Sequence, residues 1–529
     1  MASLKDDLRN PHAFPQPNRG LVEFVETHIS WVFLAERDVF KVKKPVDLGF
    51  LDFSTMALRK KACEAEVKLN SRLSPAIYRG VVPITRSADG SHSIRGHGEV
   101  VDWAVHMVRL PDAERSDQLL ADGRLGTREV DLLAQRIGEF HAGARCDAET
   151  ARFGTVEVIE RNVRENFEQT REIIADSIHP SEARELENWQ LGFLRDQRNL
   201  FESRVKNGKV RDGHGDLRLQ QIYLSPKAQI TILDCIEFND RFRYADTCSD
   251  MAFLSMDLTA HGRVDLSERL IASYARKTND YDLYSFIDFY ESYRAFVRGK
   301  VATFLVRDPG VEDSTRAAAR KEARHYFLQS LSACRPFLLK PLVIAVGGTL
   351  ATGKSTIADW LGAHLGAPVI DADRTRKYLL GAGPTQPMSG PAWRGAYDPA
   401  FTKKVYGEVF RRADVVLGSG RPLILDASFR SKELRARARE LARIHGVAFR
   451  FIECRAPEAV CRERLLARER GPSISDARVE LLDEFIAHFE SVDELDEAEH
   501  IEVDTSHAFD RVAEVLTGSL PVWPERLTA

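Results

Sequence analysis

A chain of 529 residues with 43% hydrophobic and 29% charged residues has the composition of a globular protein with sizeable cores, which excludes the disordered and fibrous classes. At about 150 residues per domain, the length suits three to four units or two larger ones. Lysine and arginine number 75 against 79 aspartate and glutamate, a net charge of −4 that excludes wholesale coating of nucleic acid but leaves room for a local basic groove.

The chain opens on MASLKDDLRNPHAFPQPNRG, which has no apolar core of a leader segment, and no later run approaches the ~18 apolar residues of a membrane span. The seven cysteines (63, 146, 235, 248, 334, 454 and 461) are scattered and never two residues apart, against both a disulfide framework and a zinc knuckle. A reducing compartment, the cytoplasm, is expected.

Residues 31–44 (WVFLAERDVFKVKK) read as two strands around a turn, Ser54 to Leu73 as a helix, and Val81 to Leu110 as strands around the turn pair Asp89 and Gly90. Helical patterns dominate Arg128 to Phe201 and Ala245 to Cys334, with short strands at 222–224 and 230–233. The order predicts a β-rich N-lobe and a mostly helical C-lobe over residues 1–335. A boundary falls in RPFLLKP, with a linker at 336–341. From 342 to 529, strands at 342–346, 423–426 and 448–453 alternate with helices, as in a parallel α/β sheet.

Within this second half, Gly348, Thr349, Leu350, Ala351, Thr352, Gly353, Lys354 and Ser355 fit G-x₄-G-K-[ST], follow a strand and lead into a helical pattern. Backbone N–H groups of such a loop, through Thr356, wrap nucleotide phosphates; Lys354 supplies a point charge and Ser355 a ligand for Mg²⁺. After the strand at Val369 and Ile370 come Asp371, Asp373, Arg374, Arg376 and Lys377. Leu423 to Leu425 read as a buried strand ending in Asp426, placed either to hold a Mg²⁺-bound water or as ordinary turn chemistry. Residues 430–470 carry twelve Lys/Arg and six Asp/Glu, and Arg464 and Arg468 share a helix face there. They read either as a clamp on a transferring phosphoryl group or as a solvated basic face. The acids from Glu490 to Glu502 read as solvated surface.

On these motifs the second half resembles the polynucleotide kinase, zeta-toxin and gluconate kinase group of P-loop kinases. The resemblance implies that Asp373, with Asp371 as the alternative, orients or deprotonates an attacking hydroxyl, that Arg376 holds the acceptor, and that arginines of a lid act at the phosphates. The competing role for the acid is an N-cap.

In the first half, His214, Gly215, Asp216, Arg218, Gln220 and Gln221 precede a strand pair, after which Asp234 and Glu237 appear. Together with THISWVF, VFKVKKPVDLGFLDF, the helix around Glu66 and DTCSDMAFLSMDL with Asp250, these stretches resemble the aminoglycoside phosphotransferase and choline kinase superfamily over roughly residues 20–330. The resemblance implies a two-lobed kinase fold with Asp216 as base and Asp234 as metal acid. Lys41 or Lys43 would be the nucleotide lysine, paired with Glu66 or else Glu64. Gln221 stands where the superfamily has the metal-binding Asn, and Arg218 replaces a His. Mg²⁺ demands near-octahedral ligands, so the longer Gln bears on whether this half catalyses. Arg294, Arg298 and Lys300 are expected in surface ion pairs, with an anionic ligand as the alternative, and His214 as a loop support.

The expected function is an ATP-dependent phosphotransferase of two kinase-type domains, α/β and α+β. It would use ATP or another NTP with Mg²⁺ and a hydroxyl acceptor, either a small molecule or a nucleic-acid 5′ end. The alternatives for the first half are a true small-molecule kinase and a nucleotide-sensing pseudokinase.

Overall fold

The computed structural model describes residues 3–15, 20–47, 49, 51–227, 229–307, 311–334, 341–388, 395–468 and 474–520. All of the expected linker but Pro341 therefore lies outside the described residues. Two compact units are present. The first comprises Met1–Glu129, Glu139–Asp257 and Tyr293–Phe327; the second comprises Val130–Gly138, Leu258–Ser292 and Leu328–Ala529.

The first unit is built on strands β1 (Glu23–Glu26), β2 (Ser30–Leu34), β3 (Asp38–Lys43), β4 (Tyr78–Arg86), β5 (His92–Ile94) and β6 (Glu99–Val108). They form an antiparallel sheet in the order β1-β2-β3-β6-β4-β5. Alternation along β3 explains its two faces: Phe40 and Val42 join Phe33, Val82 and Ala104 in one core cluster, whereas Val39 joins Cys63, Tyr78 and Val105 in another. Cys63 belongs to the helix Met56–Asn70, whose first turn is capped when Thr55 accepts from Leu58 N. Lys41 and Lys43, in step with Val39, thus point to the helix side of the sheet. Two short antiparallel pairs follow, β7 (Val210–Asp212) with β10 (Tyr244–Asp246), and β8 (Ile222–Leu224) with β9 (Ile230–Ile232). The helices Val156–Thr170 and Pro180–Asp196 also belong to this unit.

The second unit contains β11 (Leu342–Gly347), β12 (Val369–Asp371), β13 (Leu423–Asp426), β14 (Ala448–Arg455) and β15 (His500–Asp504). All pairings are parallel, in the order β12-β13-β11-β14-β15. Every residue of β11 and β13 is buried, as expected of strands covered on both faces by helices. Ile344, Val346, Ile424 and Ile452 meet Ile357, Leu361 and Leu365 of the helix Lys354–Leu365 in one cluster.

This unit differs from the expected 342–529 domain in also holding Leu258–Ser292. The Tyr281 hydroxyl donates to the Val369 carbonyl at 2.7 Å, and buried Arg421 bridges Glu268 at 2.7 Å and Asp288 at 3.0 Å. Of the acids expected as solvated surface, Glu490, Asp493, Asp496, Glu497 and Glu502 are exposed, and Glu494 and Glu499 are half-buried. Glu494 pairs with fully buried Arg435 at 2.5 Å, and His500 to Glu502 lie in β15, a strand missed because its residues are mostly polar.

Candidate active sites

The loop between β11 and the helix Lys354–Leu365 turns through backbone that only small residues tolerate. Gly348 has φ +138°, and a Cβ there would come within 2.4 Å of the Cys454 carbonyl oxygen. Gly353, at φ +84°, is the N-cap and brings no side chain to the helix's first N–H groups, which leaves those donors for an anion. Thr352 Oγ1 donates to the Thr349 carbonyl at 3.1 Å and Thr505 Oγ1 to the Thr352 carbonyl at 2.8 Å, so the chain's own hydroxyls brace the loop. Lys354 folds over it, with Nζ 2.5 Å from the Thr349 carbonyl. Burial draws its pKa below the ordinary lysine value, with Asp426 opposing. Ser355 and Thr356 are exposed on the helix's first turn.

Two carboxylates stand at strand ends, and a third, Asp373, follows in the first turn of the next helix. Asp371 closes β12 opposite Asp426, the last residue of β13. Asp371 is the N-cap of the helix Ala372–Leu379, accepting from Arg374 N at 2.9 Å. The capping role weighed for Asp373 therefore belongs to Asp371. Asp373 lines a cavity of about 490 Å³ with Lys354, Ser355, Arg376, Asp426 and Arg468. Burial, then the neighbouring Asp371, raises its pKa, while Arg376 and a hydrogen bond from Ser475 oppose. Asp426 is pushed up to about 7 by burial and by Asp371, against a hydrogen bond from Ser355 and the charge of Lys354. Its Oδ2 is buried with no hydrogen-bond partner among the described residues. An orphaned carboxylate oxygen beside a hydroxyl at a phosphate loop fits a hard cation such as Mg²⁺.

Arg376 is buried, packs 4.5 Å from the Tyr397 ring centroid and donates to the Ala396 carbonyl at 2.6 Å. The expected arginine pair is split. Arg468 lines the cavity, but Arg464 is spent on the loop's own backbone. Its Nη1 donates to the Ala351 carbonyl at 3.2 Å and its Nη2 to the Thr505 carbonyl at 2.6 Å. A phosphate contact was expected of Arg464, and its position under the loop makes it a brace instead.

In the first unit, Glu66 sits between both candidate lysines, 3.1 Å from Lys41 Nζ and 2.5 Å from Lys43 Nζ. Lys41 also pairs with Asp234, and Lys43 with Glu237. Burial alone would lower the Lys41 pKa, yet Asp234 and Glu66 raise it well above the ordinary value. Glu64 is exposed and pairs with Lys60, at 3.9 Å. Asp234 takes φ +68°, a strained conformation for a residue with a Cβ, one residue beyond Leu233, whose N–H donates to the Gln221 carbonyl at 2.9 Å.

Both oxygens of Asp216 are held by Arg218, through Nε at 2.9 Å and Nη2 at 3.0 Å. His214 supports its loop: Nε2 lies 2.8 Å from the Leu233 carbonyl, and Asp250 accepts from the backbone of His214 and Gly215 at 2.7 and 2.8 Å. Arg294, expected at the surface, is buried and donates to the Gly215 carbonyl at 3.1 Å, whereas Arg298 pairs with Glu322 at 2.8 Å. Lys300 donates instead to Asn166 at 2.6 Å and Gln169 at 3.0 Å, and burial lowers its pKa to about 8.

Residues 343–492 match the family described as AAA domain. The protein Rv2004c of Mycobacterium tuberculosis H37Rv is 33% identical over 467 residues, covering 88% of this chain and 90% of that one. A gluconokinase structure from Sinorhizobium meliloti 1021 is similar at 21% identity and TM-score 0.26, over 35% of this chain and 93% of that one. A choline/ethanolamine kinase family protein from Mesorhizobium loti is similar at 11% identity and TM-score 0.36, over 63% and 99%.

Proposed function

The chain belongs to the family of the mycobacterial protein Rv2004c, whose similarity over 467 residues is too long to fit within either half alone, and from that premise we propose an ATP-dependent phosphotransferase whose working centre is the P-loop site. The observation that carries this reading is the convergence of Lys354, Ser355, Asp373, Arg376, Asp426 and Arg468 on one cavity at the carboxyl ends of parallel strands.

In this reading the loop N–H groups and Lys354 receive the nucleotide's phosphates, and Arg468 meets the charge that spreads over the moving phosphoryl group. Ser355 and Asp426 would hold Mg²⁺, which when bound neutralises phosphate oxygens. Asp373 takes the proton of the acceptor hydroxyl. The acceptor oxygen forms the new P–O bond, the bond between the γ-phosphorus and the bridging oxygen breaks, and the nucleoside diphosphate departs. A carboxylate whose pKa is raised by burial is a stronger base than an exposed one, which suits Asp373 to this step. Arg376, one turn along the same helix, holds the acceptor in reach. The test is Lys354→Ala in the full chain: ATP turnover, read as ADP release, falls to background while circular dichroism keeps the wild-type fold. Undiminished turnover overturns the assignment.

A second reading concerns the first unit, which we infer holds a nucleotide without turning it over. Its motivation is Arg218, which occupies both oxygens of the would-be base Asp216. In the Lys354→Ala chain, this reading expects saturable Mg²⁺-dependent nucleotide binding, lost in Lys41→Met, with no ADP release. Residual turnover that depends on Asp216 would make the unit a kinase instead.

A further inference from the structure

The P-loop cavity holds more positive charge than a nucleotide needs. Away from Lys354 and Arg468, its wall includes Arg376, Lys403, Arg430 and Arg437. The acids on that side are largely committed. Asp476 accepts from Met388 N at 3.1 Å and the Tyr397 hydroxyl at 3.2 Å and lies 3.3 Å from Lys377 Nζ. Glu490 accepts from Lys432 N at 2.7 Å, and Glu433 is exposed to solvent.

The cations are grouped. Arg376, Arg430 and Arg437 line the same cavity as Tyr406, whose hydroxyl lies 3.2 Å from Ser428 Oγ. Arg437 packs 4.6 Å from the centroid of Phe410, one turn along the helix that carries Tyr406. Arg376 is 5% exposed, and its Nε has no hydrogen-bond partner among the described residues. A buried guanidinium N–H left unmatched beside further cations is costly unless an anion completes the site. Burial also lowers the Arg430 pKa, and Tyr406 and Glu490 offset this only in part.

Resting on the phosphotransferase reading, we propose that the acceptor is a small molecule bearing an anionic group, phosphate, sulfate or carboxylate, beside the hydroxyl that is phosphorylated, and that Arg376, Arg430 and Arg437 seat that group. A cavity of about 490 Å³ suits a small ligand. Arg376 also lies within the field of Asp373, so an anion at Arg376 brings its own hydroxyl toward the base. A polynucleotide end is the competing occupant.

The test uses the full chain saturated with Mg²⁺ and a non-hydrolysable ATP analogue, so that the phosphate loop is filled. Inorganic phosphate, sulfate and acetate are titrated by calorimetry beside glucose and a 5′-hydroxyl oligonucleotide. The expected result is one saturable anion site, at least tenfold weaker in Arg430→Gln and in Arg437→Gln, with analogue affinity changed less than twofold. Arg437 is only half-buried on its helix, so that variant keeps the test valid if Arg430→Gln fails to fold. Analogue binding without an anion site, or anion binding unchanged in the folded variants, overturns this proposal alone. Tighter, steeply salt-dependent binding of the oligonucleotide would assign the cations to a polynucleotide instead. Failure of the analogue itself to bind removes the phosphotransferase reading, and this proposal with it.

Discussion

Asp373→Asn separates chemistry from architecture at the P-loop site. The replacement keeps size and a hydrogen-bonding amide but removes the proton acceptor, and a positioned general base contributes about 10²–10⁴ in rate. A loss near 10³ corresponds to about 4 kcal/mol of transition-state stabilisation. Stability should respond differently. The helix Ala372–Leu379 is capped by Asp371, not Asp373, so the cap survives. The variant also relieves a buried carboxylate of the neighbouring Asp371 charge, so its unfolding free energy is unchanged or higher. Asp371→Ala is the complement: loss of the cap costs about 1 kcal/mol, with turnover falling less than tenfold. The assays are steady-state ADP release and urea denaturation on the same preparations. If Asp373→Asn turns over ATP like wild type, or if Asp371→Ala is the variant that loses chemistry at full stability, the division of roles between the two acids is wrong.

Lys43 is fully buried between Glu66 and Glu237, so Lys43→Met strands Glu237, leaves Glu66 to Lys41 alone and should cost about 3–5 kcal/mol in chemical denaturation. A loss under 1 kcal/mol would refute that network. Lys41→Met should cost less, because its partner Asp234 keeps 38% of its side chain exposed. Asp426 carries a pKa of about 7 in the folded chain against its ordinary 3.8. The folded state therefore binds its proton more tightly, and this stabilisation is complete below 3.8 and lost as pH rises through about 7. In Mg²⁺-free buffer the Tm should fall over that window, and Asp426→Asn should flatten the fall; an unchanged slope in the variant would rule the residue out. Arg464→Ala, by loosening the phosphate loop, should raise the KM for ATP more than it lowers kcat, whereas Arg468→Ala should chiefly lower kcat; the reverse pattern would return Arg464 to the phosphates.

Local signals were enough to locate the phosphate loop, because its glycines and Lys354 are adjacent in sequence and their strand and helix carry their own periodicity. The lysines of β3 were legible for the same reason, as an i, i+2 pair on one strand. Spacing left the choice between Lys41 and Lys43 open, and the fold places Glu66 against both. β15 escaped notice because its residues are mostly polar, and its pairing with β14 joins segments far apart in the chain.

What the sequence by itself determined was the order of elements and the chemistry available at each: a loop for phosphates, acids at strand ends, lysines on one sheet face. Only the tertiary structure decided that Asp371 and not Asp373 caps the helix, that Arg464 props the loop while Arg468 lines the site, and that Leu258–Ser292 belongs with the P-loop sheet. The physical reason is one of range. Propensity, periodicity and turn chemistry act over a few residues, whereas burial, charge coupling and hydrogen-bond partners depend on chain that returns from tens or hundreds of positions away.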